Sequence, residues 1–311
     1  MTSVPVPTAG RPATASAVAG PAADPVSGPV SGPAADLVPD PAAGPVSRTA
    51  SRRPRGLPNA VLGLAGVVVF LAVWEAVPRA GLVSTQFLPP ASGVLRTLAD
   101  EMARPVFWTA VGDTVLAWAL GLAIAFGAAI VLGFVVGAVP ALRAFTASTV
   151  EFLRPIPSVA LIPLAALLYA TDIRSTLLLV VYASFWQVYI QVLYGVADID
   201  PVAEDTARSY GLSRWSRIRH VAWPSALPYV LTGLRLGAAV ALILAVTAEL
   251  IIGSPGLGQE IAVAQSSGAT ATVYALVIAT GALGVVVNVV VRVAERRLLH
   301  WHSSVRGEVA A

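Results

Sequence analysis

Polar side chains set inside apolar runs are few in this chain, and their types limit the chemistry open to them. Glu151, Arg154 and Arg235 each fall about 11 to 14 residues from the nearer end of a run, roughly 16 to 21 Å along a helix. A carboxylate and two guanidiniums at comparable depth can act in two ways. Glu151 can pair with Arg235 and tie helices together, or the set can attract an anion or gate its passage. Gln187 and Gln191 share a helix face at i, i+4. With Tyr182 and Tyr189 they could hydrogen-bond an oxyanion or a neighbouring helix. Glu249, near the end of another run, can anchor the segment that follows or face a solute. Asn288 is expected to bridge helices. No nucleophile–base pair accompanies these groups. The three histidines, His220, His300 and His302, lie at the ends of runs, and cysteine is absent. No catalytic residue and no metal site are expected, so the chain is not expected to be an enzyme.

The basic residues add a second exclusion. All 20 are arginine. A phosphate-cradling P-loop needs the lysine of GxxxxGK[ST]. No cofactor is therefore expected on this chain, and any ATP-driven work would need a separate subunit.

The elements that hold these groups are apolar and long. The chain is 56% hydrophobic and 12% charged, with mean hydropathy +0.77; a soluble domain is about 25% charged. Several runs exceed the ~18 residues needed to cross hydrocarbon. The pattern predicts an all-α integral membrane protein with about six transmembrane helices: 58–77, 108–138, 141–170 (interrupted near Pro155 and Pro157), 174–197, 225–252 and 272–294. Lipid is an expected partner. The net charge of +3 lies in segments flanking the spans and requires no nucleic acid. Gly121, Gly127, Gly133 and Gly137, with Gly281 and Gly284, predict close helix packing or a dimer seam.

Residues 1–57 are of another composition. GPVS and GPAAD each occur twice there, and such Pro/Ala/Gly/Ser tracts bury too little apolar surface to order. This predicts a disordered tail before a membrane domain at 58–302, with a short tail at 303–311. Arg48, Arg52, Arg53 and Arg55 precede the first span, Arg208, Arg214, Arg217 and Arg219 follow the fourth, and Arg292, Arg296, Arg297 and Arg306 lie at the C-terminus. By the positive-inside rule both termini and the 198–224 loop are cytoplasmic. Pro89, Pro90 and Ser92 predict a short surface helix on the other side, capped by Ser92.

The 198–224 loop is too structured for a plain connection. Pro201 can open a helix, Gly211 can supply the left-handed residue that ends it, Ser213 can cap the next, and Pro224 closes the unit. Such an amphipathic pair suits a partner's groove or a bed of lipid headgroups.

This segment resembles the EAA loop of ABC-importer permeases, EAA-x3-G-x9-I-x-L-P. The pattern falls on Asp205-Thr206-Ala207, Gly211, Val221, Trp223 and Pro224, with Leu212 after the glycine. Asp replaces Glu, Thr the first Ala, Val the Ile, and a bulkier Trp the Leu. Trp74-Glu75, Phe87-Leu88-Pro89-Pro90-Ala91-Ser92, Arg154-Pro155-Ile156-Pro157, Leu227-Pro228, Gly233-Leu234-Arg235, Ala248-Glu249-Leu250, Gly256-Leu257-Gly258 and Arg297-Leu298-Leu299-His300-Trp301 are similar, in order, to nitrate/sulfonate/taurine-type permeases. The resemblance spans nearly all of 58–302. It implies a type I-like ABC-importer permease fold with a cytoplasmic coupling helix in a bacterial plasma membrane. It also implies a homodimer or paired permease, cytoplasmic ATPase subunits that bind the ATP, and an extracytoplasmic substrate-binding protein. On this reading Asp205, Thr206, Ala207, Gly211, Leu212, Val221 and Pro224 couple to the ATPase. Gln187, Gln191, Tyr182, Glu151, Arg154, Arg235 and Glu249 are candidates for the translocation path. The cargo would be a small oxyanion such as an aliphatic sulfonate, taurine or nitrate, or alternatively a pyrimidine precursor or other small organic solute. A self-sufficient ion-coupled carrier would need no such loop and would usually show inverted repeats, of which none is evident.

Overall fold

The computed structural model describes residues 59–298. The tails read at 1–57 and 303–311, with His300 and His302, lie outside the described residues.

Every regular element among the described residues is helical. Five helical segments are long and apolar enough to cross a membrane, and a bent pair makes six. The order is α1 (Asn59–Arg79), α2 (Ala91–Met102), α3 (Pro105–Ala138), α4 (Pro140–Leu153), α5 (Ile162–Tyr169), α6 (Ile173–Ala197), α7 (Pro201–Ser209), α8 (Arg214–Arg217), α9 (Trp223–Ile252), α10 (Leu257–Ser266) and α11 (Thr270–Leu298).

The bend comes where the prolines forecast it. α4 and the stretch Ser158–Tyr169 meet at 79°. Pro157 cannot donate to the Leu153 carbonyl four residues back. The Tyr182 hydroxyl donates to that carbonyl instead, at 2.8 Å. Tyr182 is thus engaged in closing the bend, which the expectation of an oxyanion ligand did not foresee.

α6 is central, packed between α3 and α9, with Leu179, Val180, Val188 and Val192 fully buried. The glycines of α3 make the close approach possible. A Cβ on Gly121, Gly133 or Gly137 would stand 2.5, 2.6 or 2.9 Å from Cγ1 of Val180, Val192 or Val196. This small-residue stripe is therefore a seam within the chain. Gly127 and Gly281 face open space, and Gly284 would make only ordinary contact with Leu242. Asn288 is exposed and bridges no helices among the described residues.

Three local expectations are corrected. Ser92 does not cap α2; Pro90 holds that position without a capping side chain. The Glu75 carboxylate takes over, accepting from the Ser92 amide at 2.9 Å and from its hydroxyl at 2.7 Å. Trp74 Nε1 donates to the Pro89 carbonyl at 3.1 Å, so α1 is tied to α2 at one end while Val67, Val68, Val69 and Phe70 stay exposed. Second, 253–271, which the predicted spans leave as a connection, is helical in part. It contains α10, whose Leu257, Ile261 and Ala264 are buried against Phe107, Ala110 and Leu276. Third, Pro224 does not close the loop unit. A π-turn at Ile218–Ala222 leads from α8 straight into α9, and Pro224 sits in the first turn of α9. The wider turn is the adjustment a proline demands of the carbonyls behind it.

Candidate functional site

The 198–224 loop folds by its own side chains. The Asp200 carboxylate accepts from the Val202 amide at 2.8 Å, and Pro201 fills the first helical position of α7. The helix ends in a Schellman arrangement. Gly211, at φ +74°, donates to the Arg208 carbonyl at 2.9 Å, and Leu212 donates to that of Ala207 at 3.1 Å. Ser213 Oγ then accepts from the Ser216 amide at 3.2 Å and caps α8. Across the turn, Arg217 Nη1 lies 2.9 Å from Glu204 Oε1. The pair is close by distance but not aligned for a hydrogen bond, and Arg217 Nε is buried without a partner. The sequence reading missed this clamp because nothing in the spacing of Glu204 and Arg217 marks it.

Of the motif positions, Ala207 is buried, Leu212 and Val221 are half-buried, and Asp205 and Thr206 are exposed. Asp205 lies 3.6 Å from Arg208. Val202, Tyr210 and Trp215 project apolar surface at 69, 81 and 72% exposure. Large apolar side chains exposed on a polar loop suit a docking element. Asp198 accepts from the Tyr229 hydroxyl at 2.6 Å and ties the loop's entry to α9.

The polar groups within the spans do not form one cluster. Arg235 does not pair with Glu151. Its Nη1 lies 3.9 Å from Glu295 of α11, with the guanidinium half-exposed. Glu249 is fully buried and holds the segment after α9. One oxygen accepts from the Thr114 hydroxyl at 2.8 Å and from the Gly258 amide at 3.0 Å, while Thr114 accepts from the Leu257 amide at 2.9 Å. In the same connection Ser254 shares a buried hydrogen bond of 2.6 Å with Thr176 of α6. Of the two roles considered for Glu249, this geometry is that of the anchor. Thr114 gave no sequence signal, being one hydroxyl in an apolar run.

Glu151 and Arg154 line a cavity of about 530 Å³ between α4, α6 and the end of α3. Arg143, Thr146 and Tyr189 line it too. Gln187 and Gln191 are half-buried and do not line it; Gln191 packs toward Gly233 of α9. Arg143 was not singled out in the sequence, although it is the one other charge at the start of the same broken span.

A helical membrane body with a capped helical loop at one end defines a class. Residues 129–300 match the family described as binding-protein-dependent transport system inner membrane component. The chain belongs to that family. It is 33% identical over 255 residues to the taurine transport system permease protein TauC of Escherichia coli K12, covering 80% of this chain and 92% of that one. It is 29% identical over 245 residues to the putative aliphatic sulfonates transport permease protein SsuC of Bacillus subtilis 168, covering 79% and 89%. The fold matches that of a chain in a bacterial ABC transporter involved in import of the acidic polysaccharide alginate, with TM-score 0.55, 15% identity, and coverage of 77% and 95%. The protein is a transmembrane permease of the ABC-importer type.

Proposed function

We propose that this permease imports a small oxyanion, of the aliphatic sulfonate or taurine class, using ATP hydrolysed on separate subunits. The loop at Asp205–Pro224 carries the coupling half of this reading. It is a capped helix, a left-handed glycine and a second capped helix, with Val202, Tyr210 and Trp215 exposed on it. Docked ATPase subunits move this loop and the helices it continues into, shifting the permease between two arrangements. Arginine placement supports a cytoplasmic address for the loop and both termini. An extracytoplasmic binding protein delivers the solute, and two copies of the chain form the pathway. The oxyanion half rests on the two relatives and on the arginine-lined cavity.

Reconstitution with the cognate ATPase and binding protein tests it. ATPase activity is expected to rise when the binding protein is loaded with taurine or an alkanesulfonate. No stimulation by any sulfonate or by nitrate would remove the substrate assignment.

The clamp across the loop gives a narrower test. Arg217→Glu sets two carboxylates against each other and is expected to reduce ATPase co-purification. The exchange Glu204→Arg with Arg217→Glu restores the pair and is expected to recover most of it. Loss in the double exchange equal to that in the single would assign Arg217 to direct contact with the partner.

A further inference from the structure

α1 meets the body at one end. Trp74 and Glu75 hold the segment around Pro89 and Ser92, and the Trp74 ring lies 6.0 Å from that of Tyr274 near the start of α11. From 61 to 70 every residue is exposed, so that stretch is covered by no other element among the described residues. A cavity opens where the held part begins. Phe70, Val73, Trp74 and Val77 line it from α1 at i, i+3, i+4 and i+7, the spacing of a helix face that buries against a neighbour. Leu88 and Tyr274 complete the lining.

Three occupants compete for such a space. Water has no hold there, because the donors on the wall are spent. Trp74 Nε1 donates to the Pro89 carbonyl and the Tyr274 hydroxyl to the Phe87 carbonyl, each at 3.1 Å, and a buried water needs about three polar partners. A helix of a second copy is too large. The cavity holds about 370 Å³, or 660 Å³ with its open mouth counted. A helix about 10 Å across, laid along the roughly 12 Å of residues 70–77, takes up roughly 900 Å³. A hydrocarbon chain is slim, flexible and needs no hydrogen bond, and it supplies the dispersion contacts that an empty cavity forfeits.

The position agrees with that occupant. The 21 residues of α1 run about 31 Å, the thickness of the hydrocarbon core. Residues 70–77 fall in the half next to α2, the depth of one leaflet's chains. Phe70 and Val73 are 63 and 56% exposed, so the cavity is continuous with the lipid-facing surface of the span.

We propose that this cavity holds one acyl chain of a bilayer phospholipid, which fills the gap between α1 and the body. The site is independent of the cargo.

The test uses the full chain with its ATPase in nanodiscs of phosphatidylcholine, doped with a phosphatidylcholine that carries a diazirine at mid-chain. Irradiation and peptide mapping are expected to place several-fold more label on 70–77, Leu88 and Tyr274 than on 61–69 of the same helix, which faces lipid without a cavity. Native mass spectrometry after detergent washing is expected to find phospholipid still held by the permease. Val77→Trp fills the space and is expected to remove most of both signals. Where that variant fails to assemble, Val73→Trp fills the cavity from its exposed mouth and is expected to do the same. Label no denser than on 61–69, or lipid retention unchanged by the filling variant, overturns the proposal. The chain has no cysteine, so Val73→Cys reports the rival occupant. Disulfide-linked permease pairs in high yield would give the cavity to a side chain of a second copy and overturn the lipid assignment; none are expected.

Discussion

Gly258→Ala is expected to yield a permease that inserts but melts roughly 2–12 °C lower, measured on the solubilised protein by thermal unfolding. An added Cβ would press inside van der Waals contact of the Val246 carbonyl oxygen and stand 2.7 Å from Glu249 Cβ and the Leu250 amide. Two of these are backbone atoms of α9, which cannot rotate aside. Overpacking of this kind costs about 1–3 kcal/mol, and each kcal/mol moves the melting temperature of a domain this size by about 2–4 °C. The segment would have to lift, taking the Gly258 amide off Glu249 and leaving a buried carboxylate short of a donor. Gly127→Ala is the control, because its Cβ meets open space. A Gly258→Ala protein that melts with the wild type would show that α10 does not pack as closely on α9 as described.

Gly211→Pro is expected to abolish coupled transport, by more than tenfold, while membrane insertion and melting of the body stay unchanged. Proline fixes φ near −65° and has no N–H. Gly211 sits at φ +74° and donates to Arg208, so both requirements fail. The loss is confined to the loop, since no atom outside it lies within 4 Å of the Gly211 Cβ position. Gly211→Ala keeps the donor and meets only the left-handed penalty of about 1–2 kcal/mol, so partial coupling is expected. Transport assays in proteoliposomes with the ATPase check both; full transport by Gly211→Pro would sink the assignment of the loop as the coupling element.

Those two glycines also mark what the sequence could and could not convey. Gly211 was legible because a helix C-terminus is a local event: a glycine, a serine two residues later and a change of polarity suffice. The spans were legible because each is a one-dimensional record of apolar length, and the bend was legible from two prolines. Gly258 was not legible in the same way. Its role depends on Val246 and Glu249 passing nearby, which only the packed structure supplies. Thr114 and Tyr182 are similar cases. Each is a single hydroxyl whose partner lies 29 or more residues away, and no period or cap announces it. The Glu151–Arg235 pairing failed because equal depth along two helices says nothing about which faces meet. α10 was missed for another reason. Leu257, Ile261 and Ala264 do carry a helical period, but ten residues are too few to register as a span.

The π-turn gives α9 a property that neither the loop nor the membrane core has alone. From Arg214 to Ile252 the backbone is helical without a gap, about 58 Å along the axis at the usual rise. Its first turns belong to the loop, and Glu249, three residues from its far end, accepts from the Gly258 amide in the first turn of α10. The end proposed to dock the ATPase and the Glu249 contact with α10 thus sit on one continuous helical backbone. On the proposed coupling role, a displacement of the loop end enters the membrane body through the same helix that holds α10.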